Sequence, residues 1–464
     1  MAVLAAALPA DAASLRKGPW VQHVTRTSAV VMFELDAAAP ATVRLREVGA
    51  RDAGEQRVVG SQAAVLHEVR ITGLEPSRRY AFVVEVGGGR GPGEGAPGAR
   101  GEGEIATAPL PHEAFSFVAW GDSRMGDEPH RALCERIALE APDLILHTGD
   151  FVSTGGDTGG WQAFFDIERD LLRRVPLYPV VGNHDREGIF RRTEKYRTYF
   201  AVPDDAPNPE RYYAFSWGNS RFVVLDSNEP TFSLAEQALW LDEQLAAAVA
   251  DPEVRHIFVA MHHPLFSTSL HGPHEAARLA WAPLFERYRV DLVFAGHDHV
   301  YEHLERGGVR YVITGGGGAP LYFRHPNPRA EDAAASVAFD ATHHFVRVQV
   351  AGDFVEVAAV RIDGELIESF SFGARPAGVC RADTDCDGLL HPGCPGAWRC
   401  EGQACEWRCG ASSPITTPRE PRVGAPARPR RPSVPSRGRA AWLGLLALGL
   451  GGAAVWAWRR RRPR

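Results

Sequence analysis

Five short polar motifs carry the residue types that bind metal ions. They are Gly121-Asp122-Ser123-Arg124, Gly149-Asp150-Phe151-Val152-Ser153, Gly182-Asn183-His184-Asp185, Met261-His262-His263-Pro264 and Gly296-His297-Asp298-His299. Carboxylate, amide and imidazole groups together suit hard and borderline ions such as iron, manganese and zinc. Each motif alone is more typical of a turn or a helix cap than of a metal site. The complete set in this order predicts one metal cluster.

An apolar run precedes each motif and predicts the strand that positions it. The runs are Phe115 to Trp120, Asp143 to Thr148, Leu177 to Val181, His256 to Met261 and Asp291 to Ala295. Runs of this kind are typical of strands buried on both faces. Because α/β sheets bind ligands at the carboxyl ends of their strands, we expect the five motifs to meet at one edge.

On these motifs, the chain resembles the calcineurin-like metallophosphoesterases, and within them the purple acid phosphatase-like branch. The resemblance extends from about Pro19 to Phe372. It implies an α/β fold for residues 112–373, with a two-sheet β-sandwich flanked by helices. It also implies a fibronectin-like, all-β sandwich before it, at residues 17–110. The sequence Leu74-Glu75-Pro76 followed by Tyr80 is similar to the tyrosine corner of such sandwiches.

The resemblance implies two metal ions (Fe, Zn or Mn) that share one bridging carboxylate, Asp150. Asp122 and His299 would complete the first metal site. Asn183, His262 and His297 would complete the second. His263 is the alternative to His262 as a ligand, and the spacing after Val259 favours His262.

Further residues are expected to act on the substrate. His184 matches the family's transition-state histidine, which stabilises the phosphoryl oxygens or protonates the leaving group. Asp185 would orient His184. His271 or His274 would reach the substrate from the following loop, although both are equally typical of solvated loop histidines. His147 is expected to be a core histidine.

Two departures from the family pattern affect the first metal site. Purple acid phosphatases have a tyrosine three residues after the bridging aspartate, where this chain has Ser153. Other family members have a histidine where this chain has Arg124. The first site is therefore expected to bind its ion weakly, to take another ligand, or to be empty. Arg124 is a candidate for bidentate contact with the substrate phosphate.

The expected activity is phosphomonoester hydrolysis by direct attack of a metal-bound hydroxide, without a phospho-enzyme. Two metal ions activate water and neutralise the charge that moves to the leaving oxygen. The first alternative is a phosphodiesterase acting on nucleotides or lipid head groups. The second is an inactive surface-display or adhesion protein, suggested by the incomplete first site.

Composition limits the remaining possibilities. The chain has 464 residues, too many for one ordinary domain, and its 45% hydrophobic content is typical of globular proteins. A net charge of −6 indicates no nucleic-acid-binding surface. The expected partner is a small phosphate ester, and the oligomeric state is left open.

The cysteines and the chain ends predict export. Six of the seven cysteines lie in residues 378–410, which favours a disulfide module over a zinc module. Residues 1–13 are a possible signal peptide. After a Pro/Arg-rich linker at 411–439, residues 440–458 lack charge and predict a transmembrane or sorting segment, followed by a basic tail at 459–464. We therefore expect a protein anchored at the cell surface or facing the periplasm.

Overall fold

The computed structural model describes most of the chain between residues 13 and 373. The described ranges are 13–49, 57–87, 99–188, 192–203, 206–208, 211–228 and 234–373, with the backbone alone at 396–401 and 404–409. The predicted signal peptide, linker, 440–458 segment and basic tail lie outside these ranges. Within them, no helix has the length and apolarity needed to cross a membrane.

The N-terminal module is all-β, as predicted. Its five strands are β1 (Leu15–Gln22), β2 (Ser28–Glu47), β3 (Arg57–Thr72), β4 (Arg79–Val86) and β5 (Arg100–Ala106). The long strand β2 pairs antiparallel with β1, β3 and β4, and its pairing with β3 shifts register between Glu34 and Ala41. The hydroxyl of Tyr80 accepts a hydrogen bond from the amide of Glu75 at 3.0 Å, the contact expected of a tyrosine corner.

Two sheets form the second module, in agreement with the predicted two-sheet sandwich. The first sheet has the order β18-β17-β16-β6-β7-β8 and the second β15-β13-β14-β12-β11-β10-β9. Strands of the first are β6 (Phe115–Trp120), β7 (Leu144–His147), β8 (Leu177–Pro179), β16 (His344–Ala351), β17 (Phe354–Arg361) and β18 (Leu366–Phe372). Strands of the second are β9 (Tyr213–Trp217), β10 (Ser220–Val224), β11 (His256–Ala260), β12 (Leu292–Ala295), β13 (Tyr301–Arg306), β14 (Val309–Thr314) and β15 (Ser336–Asp340).

Helices connect these strands. They are α1 (Asp127–Glu140), α2 (Thr158–Ile167), α3 (Arg169–Leu172), α4 (Glu194–Tyr199), α5 (Leu234–Ala250), α6 (Glu275–Tyr288) and α7 (Ala330–Ala335). Helix α1 buries Leu133 and Ile137 on one face. It ends at Ala141, which adopts a left-handed conformation directly before Pro142. A proline cannot continue the helix and disfavours helical backbone in the residue before it.

The core between the two sheets aligns the strands that carry the motifs. Phe117 of β6 lies 5.2 Å from Phe222, 5.2 Å from Phe258 and 5.8 Å from Phe294, measured between ring centroids. These three partners belong to the second sheet. Aromatic side chains bury large apolar areas and favour such edge-on contacts. Strands β6, β7 and β8 run parallel to one another, as do β11 and β12.

The N-terminal module packs directly against the second module. The ring of Trp20 lies 4.5 Å from that of Phe165, and its Nε1 donates to the carbonyl oxygen of Tyr199 at 3.2 Å. The hydroxyl of Tyr178 donates to the carbonyl oxygen of Val24 at 2.8 Å. These buried contacts join the two modules through hydrogen bonds as well as apolar packing.

A short hairpin is the part of the cysteine-rich segment that the structure describes. Strands β19 (Gly396–Glu401) and β20 (Ala404–Cys409) pair antiparallel, with Cys400 opposite Cys405. The structure describes only the backbone of this hairpin, so the disulfide module stays a prediction.

Candidate metal centre

Each of the five motifs begins within three residues of the end of its strand, and three of their non-glycine residues adopt an unusual backbone. Asp122 and Asp150 have φ of 59°, and His297 has φ of 67°. This left-handed region is unfavourable for residues with a side chain, by about 1–2 kcal/mol each. Strain of this kind clusters at functional sites, where the surrounding structure holds it in place. The loops therefore hold these three side chains in place at a cost in backbone conformational energy.

One half of the cluster, here called the histidine half, consists of Asn183, His262 and His297 with Asp150. His262 Nε2 lies 2.9 Å from Asn183 Oδ1 and 3.4 Å from Asp150 Oδ1, and His297 Nδ1 lies 3.1 Å from Asn183 Oδ1. Ligand atoms at right angles around an ion, each about 2.1 Å away, are about 3 Å apart. The four side chains therefore fit one metal ion.

The protonation of the two histidines also fits a metal site. His262 Nδ1 lies 2.8 Å from the carbonyl oxygen of Thr148 and donates to it, and Nε2 faces Asn183 Oδ1. Burial alone would lower the pKa of His262, but the nearby charges of Asp150 and Asp122 raise it. Without an ion, a proton on Nε2 therefore faces the Asn183 oxygen, at the place where an ion would bind. Burial and the neighbouring histidines lower the pKa of His297, so its imidazole is neutral, the form that binds metals.

The other half, here called the carboxylate half, consists of Asp122, Asp150 and His299 with Arg124. His299 Nε2 lies 3.4 Å from Asp122 Oδ1, a buried atom with no hydrogen-bond partner among the described residues. Arg124 Nε donates to Asp150 Oδ2 at 3.1 Å, and Arg124 Nη2 lies 3.3 Å from His299 Nε2. These carboxylate oxygens and the imidazole nitrogen fit a cation, and the guanidinium group of Arg124 lies among them.

Asp150 joins the two halves. Its Oδ1 accepts from the amide of His184 at 2.9 Å and faces His262, while its Oδ2 faces Arg124. Burial alone would raise the pKa of Asp150, but the charges of His262, His184 and Arg124 outweigh it and lower that pKa to about 2. The carboxylate is therefore ionised at ordinary pH and available to both halves.

Asp185 occupies a position different from the expected one. Its carboxylate accepts hydrogen bonds from the amides of Asp150, Phe151 and Gly182 at 2.7–2.8 Å, and from that of Val152 at 3.4 Å. Burial, and then the charge of Asp150, raise the pKa of Asp185 to about 7. The contact predicted to orient His184 is made by another residue, since His184 Nδ1 lies 2.8 Å from the carbonyl oxygen of Ser153. Asp185 instead ties together the loops that follow β7 and β8.

Two further candidate histidines, His263 and His271, lie beside the histidine half. His263 Nδ1 lies 2.9 Å from Ser227 Oγ, and its ring centroid lies 4.4 Å from that of His297. The ring of His271 lies 4.5 Å from that of His297, and its Nδ1 lies 3.2 Å from Asp298 Oδ1.

His274 and His147 have other surroundings. His274 caps α6 by accepting from the amide of Ala277 at 3.2 Å. Buried His147 stacks on Phe151 at 3.9 Å and lies outside the two halves.

The sequence motifs missed Tyr322. Its ring stacks on His299 at 4.1 Å, and its hydroxyl lies near the guanidinium group of Arg124. Tyr322 lies in the loop after β14, directly beyond the glycine run Gly315–Gly318. In the structure, Gly317 donates to the carbonyl oxygen of Gly121 at 2.8 Å, and this close approach brings the loop to the site.

A family model described as calcineurin-like phosphoesterase matches residues 122–301. Tartrate-resistant acid phosphatase type 5 of Homo sapiens is 30% identical over 243 residues, which cover 44% of this chain and 73% of that protein. An uncharacterized protein of Mycobacterium tuberculosis is 35% identical over 249 residues, 45% of this chain and 46% of that protein. The match therefore spans about half of this relative's length.

The fold has a counterpart among solved structures. Purple acid phosphatase PPD1 from yellow lupin (Lupinus luteus) superposes with a TM-score of 0.66 at 18% identity, covering 77% of this chain and 74% of that chain. The family match and the similarity to the human phosphatase agree with the fold and with the geometry of the ligands. The chain belongs to the calcineurin-like phosphoesterase family, a class of phosphoric ester hydrolases.

Proposed function

We propose that this protein is a metal-dependent phosphomonoesterase of the acid phosphatase type. The observation that carries the proposal is the convergence of the predicted ligands on Asp150. Both of its carboxylate oxygens are engaged, Oδ1 towards His262 and Oδ2 towards Arg124. The bound ion is Fe, Zn or Mn, because the donors mix oxygen and imidazole nitrogen.

The residues around the ions have distinct tasks. A bound metal ion supplies Lewis-acid chemistry, which lowers the pKa of water and offsets phosphoryl charge. His184 is half-buried beside Asp150, and the Ser153 carbonyl fixes its Nδ1. Its Nε2 is therefore the atom that passes a proton to the leaving oxygen. His271, with a side chain that is 40% exposed, contacts the substrate from the rim.

Four exposed apolar residues are neighbours in sequence of site residues, and we call them the apolar rim. These are Met125, Leu270, Leu321 and Phe323. Met125 follows Arg124, Leu270 precedes His271, and the other two flank Tyr322. An apolar rim favours esters with an apolar alcohol portion, because its surface leaves water when the ester binds. Aryl phosphates are therefore suitable test substrates.

Turnover of nitrophenyl phosphate and of its bis-ester tests the proposal. We expect the monoester to be preferred, activity to be lost on chelation, and activity to return when Mn²⁺ or Zn²⁺ is added. Asn183→Ala should lose most activity, whereas His112→Gln, at an exposed histidine in the segment between the two modules, should behave as wild type. Preference for the bis-ester would favour the phosphodiesterase alternative. Turnover that chelation does not change would contradict metal dependence.

Metal analysis of the purified protein separates the enzyme from the inactive display protein. The proposal expects bound metal. Protein that contains no metal, takes up none and has no turnover would support the display alternative.

Export and anchoring are part of the proposal and rest on the sequence alone. The uncharged segment 440–458 and the clustered cysteines support a protein held at the cell surface. Cell fractionation of the full chain and of a variant ending at residue 439 tests this. Equal distribution of both between membrane and soluble fractions would contradict anchoring.

A further inference from the structure

We propose that Arg124 is the second cation of the centre, so that the protein binds a single metal ion, in the histidine half. The proposal rests on the proposed function and concerns how the charge at the same site is supplied. The guanidinium group of Arg124 lies where the resemblance places the first ion, among Asp122, Asp150 and His299.

The contacts of Arg124 use the atoms that an ion in the carboxylate half would need. Arg124 Nε donates to Asp150 Oδ2 at 3.1 Å. Arg124 Nη2 lies 3.3 Å from His299 Nε2. His299 Nδ1 lies 2.7 Å from the carbonyl oxygen of Pro320 and donates to it, so Nε2 holds the one available lone pair of that ring. The guanidinium and an ion therefore compete for the same two acceptor atoms.

The surroundings of Arg124 hold it in this position. Its side chain is 8% exposed and forms an ion pair with Asp150. The hydroxyl of Tyr322 and the sulfur of Met125 also contact it, the latter at 3.0 Å from Nη1. Moving the guanidinium away would leave Asp150 without a buried positive partner in this half, which is costly in a low-dielectric interior.

The ligands missing from the family pattern belong to this same half. Ser153 stands in place of the expected tyrosine, and Arg124 itself stands in place of the expected histidine. The histidine half keeps its full donor set. An arginine cannot lose its proton in a protein, and it binds oxyanions through two parallel donors. Arg124 thus supplies positive charge, but the Lewis-acid role falls to the ion in the histidine half.

Manganese binding to the metal-free protein tests the proposal without measuring activity. The protein is stripped by chelation and titrated with Mn²⁺, and bound metal is counted by elemental analysis and by electron paramagnetic resonance. We expect about one ion per wild-type chain, with the spectrum of an isolated ion, and about two spin-coupled ions in Arg124→His, which restores a ligand. Arg324→His, at an exposed arginine two residues beyond Tyr322, is the matched control and should bind about one.

A second comparison covers the case in which Arg124→His does not fold. His262→Ala should abolish Mn²⁺ binding, whereas His299→Ala should leave the wild-type stoichiometry unchanged. About two coupled ions in the wild type, or loss of one ion in His299→Ala, would overturn the inference while leaving metal-dependent hydrolysis intact. No binding at all would overturn the proposed function itself.

Discussion

The two halves of the metal centre use similar donors but differ in what balances their charge. In the histidine half, Asn183 Oδ1 and His262 Nε2 face each other at 2.9 Å, the spacing of two ligands of one ion. In the carboxylate half, Arg124 lies among the acceptors and contacts Asp150 and His299. A cluster of buried acceptors thus requires positive charge, and a metal ion or a side chain of the same chain can provide it.

The largest effect is expected from Asp150→Asn, because Asp150 serves both halves. The change removes the negative charge that faces His262 on one side and Arg124 on the other. Turnover of nitrophenyl phosphate should fall by about 10³-fold or more. The free energy of unfolding should also fall by about 3–5 kcal/mol, since Arg124 loses its buried partner. Denaturant titration and steady-state kinetics measure the two effects, and a variant with normal stability would contradict the buried pairing.

The next effect compares matched histidines from each half. His262→Ala removes a ligand of the histidine half, so turnover should fall by about 10²-fold or more. His299→Ala removes only an acceptor of Arg124, so turnover should fall by about 10-fold. Kinetics at saturating Mn²⁺ give both values. Equal losses of turnover in the two variants would contradict the proposed difference between the halves.

Asp185→Asn should reduce stability more than chemistry. Asp185 accepts from four backbone amides, and an asparagine offers one oxygen and turns an N–H group towards these donors. We expect a loss of about 1–3 kcal/mol in the free energy of unfolding. Thermal and urea denaturation of metal-free protein check this. If metal-free stability is unchanged, the two loops do not depend on this carboxylate.

Arg124→Lys keeps the charge but loses the planar group. Lysine cannot reach Asp150 Oδ2 and His299 Nε2 with two fixed donors, as Arg124 does. The value of kcat/KM should fall by about 10-fold, equivalent to about 1.4 kcal/mol. Metal stoichiometry should stay unchanged. A gain of a second ion in this variant would show that charge alone does not exclude the metal.

Acid should lower the free energy of unfolding through buried His344, a residue of β16. Burial lowers the pKa of His344 to about 4, below its ordinary 6.5. The amide of His344 donates to the carbonyl oxygen of Gly316, and the amide of Gly317 donates to that of Gly121. These two hydrogen bonds connect β16 to the loop that carries Asp122. The unfolded chain binds more protons between these two pKa values, so stability falls as pH drops through that window, by up to about 1.4 kcal/mol per pH unit.

Substitution of His344 tests this pH dependence. His344→Gln removes the titrating group, so the decrease in unfolding free energy between about pH 6.5 and about pH 5 should be smaller than in wild type. Exposed His112 provides the control, since His112→Gln should follow the wild-type curve. Parallel curves for wild type and His344→Gln would contradict the assignment.

Much of the fold and of the site's location could be predicted from the sequence. Apolar runs and their polar ends predicted β6, β7, β8, β11 and β12, because the pattern of burial along a strand is local. Pro142 accounts for the end of helix α1, because a proline does not continue a helix. The tyrosine corner at Tyr80 was also visible in the sequence.

The features that could not be predicted from the sequence depend on contacts between segments that are distant in the chain. The carboxylate of Asp185 could equally have reached His184, its neighbour, and only the folded loops show that it accepts from four backbone amides instead. Tyr322 is far from every motif, and the backbone contact between Gly317 and Gly121 brings it to His299. The departure at Arg124 was visible in the sequence, but its burial against Asp150 was not.

The amide contacts of Asp185 have a thermodynamic consequence. Because folding alone fixes the loops after β7 and β8, metal binding does not need to order them. The extra stability that a metal provides then follows simple mass action, RT ln(1 + [metal]/Kd). The melting temperature of this protein should therefore rise in proportion to the logarithm of metal concentration above Kd. A series of melting temperatures would act as a binding isotherm, and the affinity of the protein for Mn²⁺ or for Zn²⁺ could be measured without any substrate.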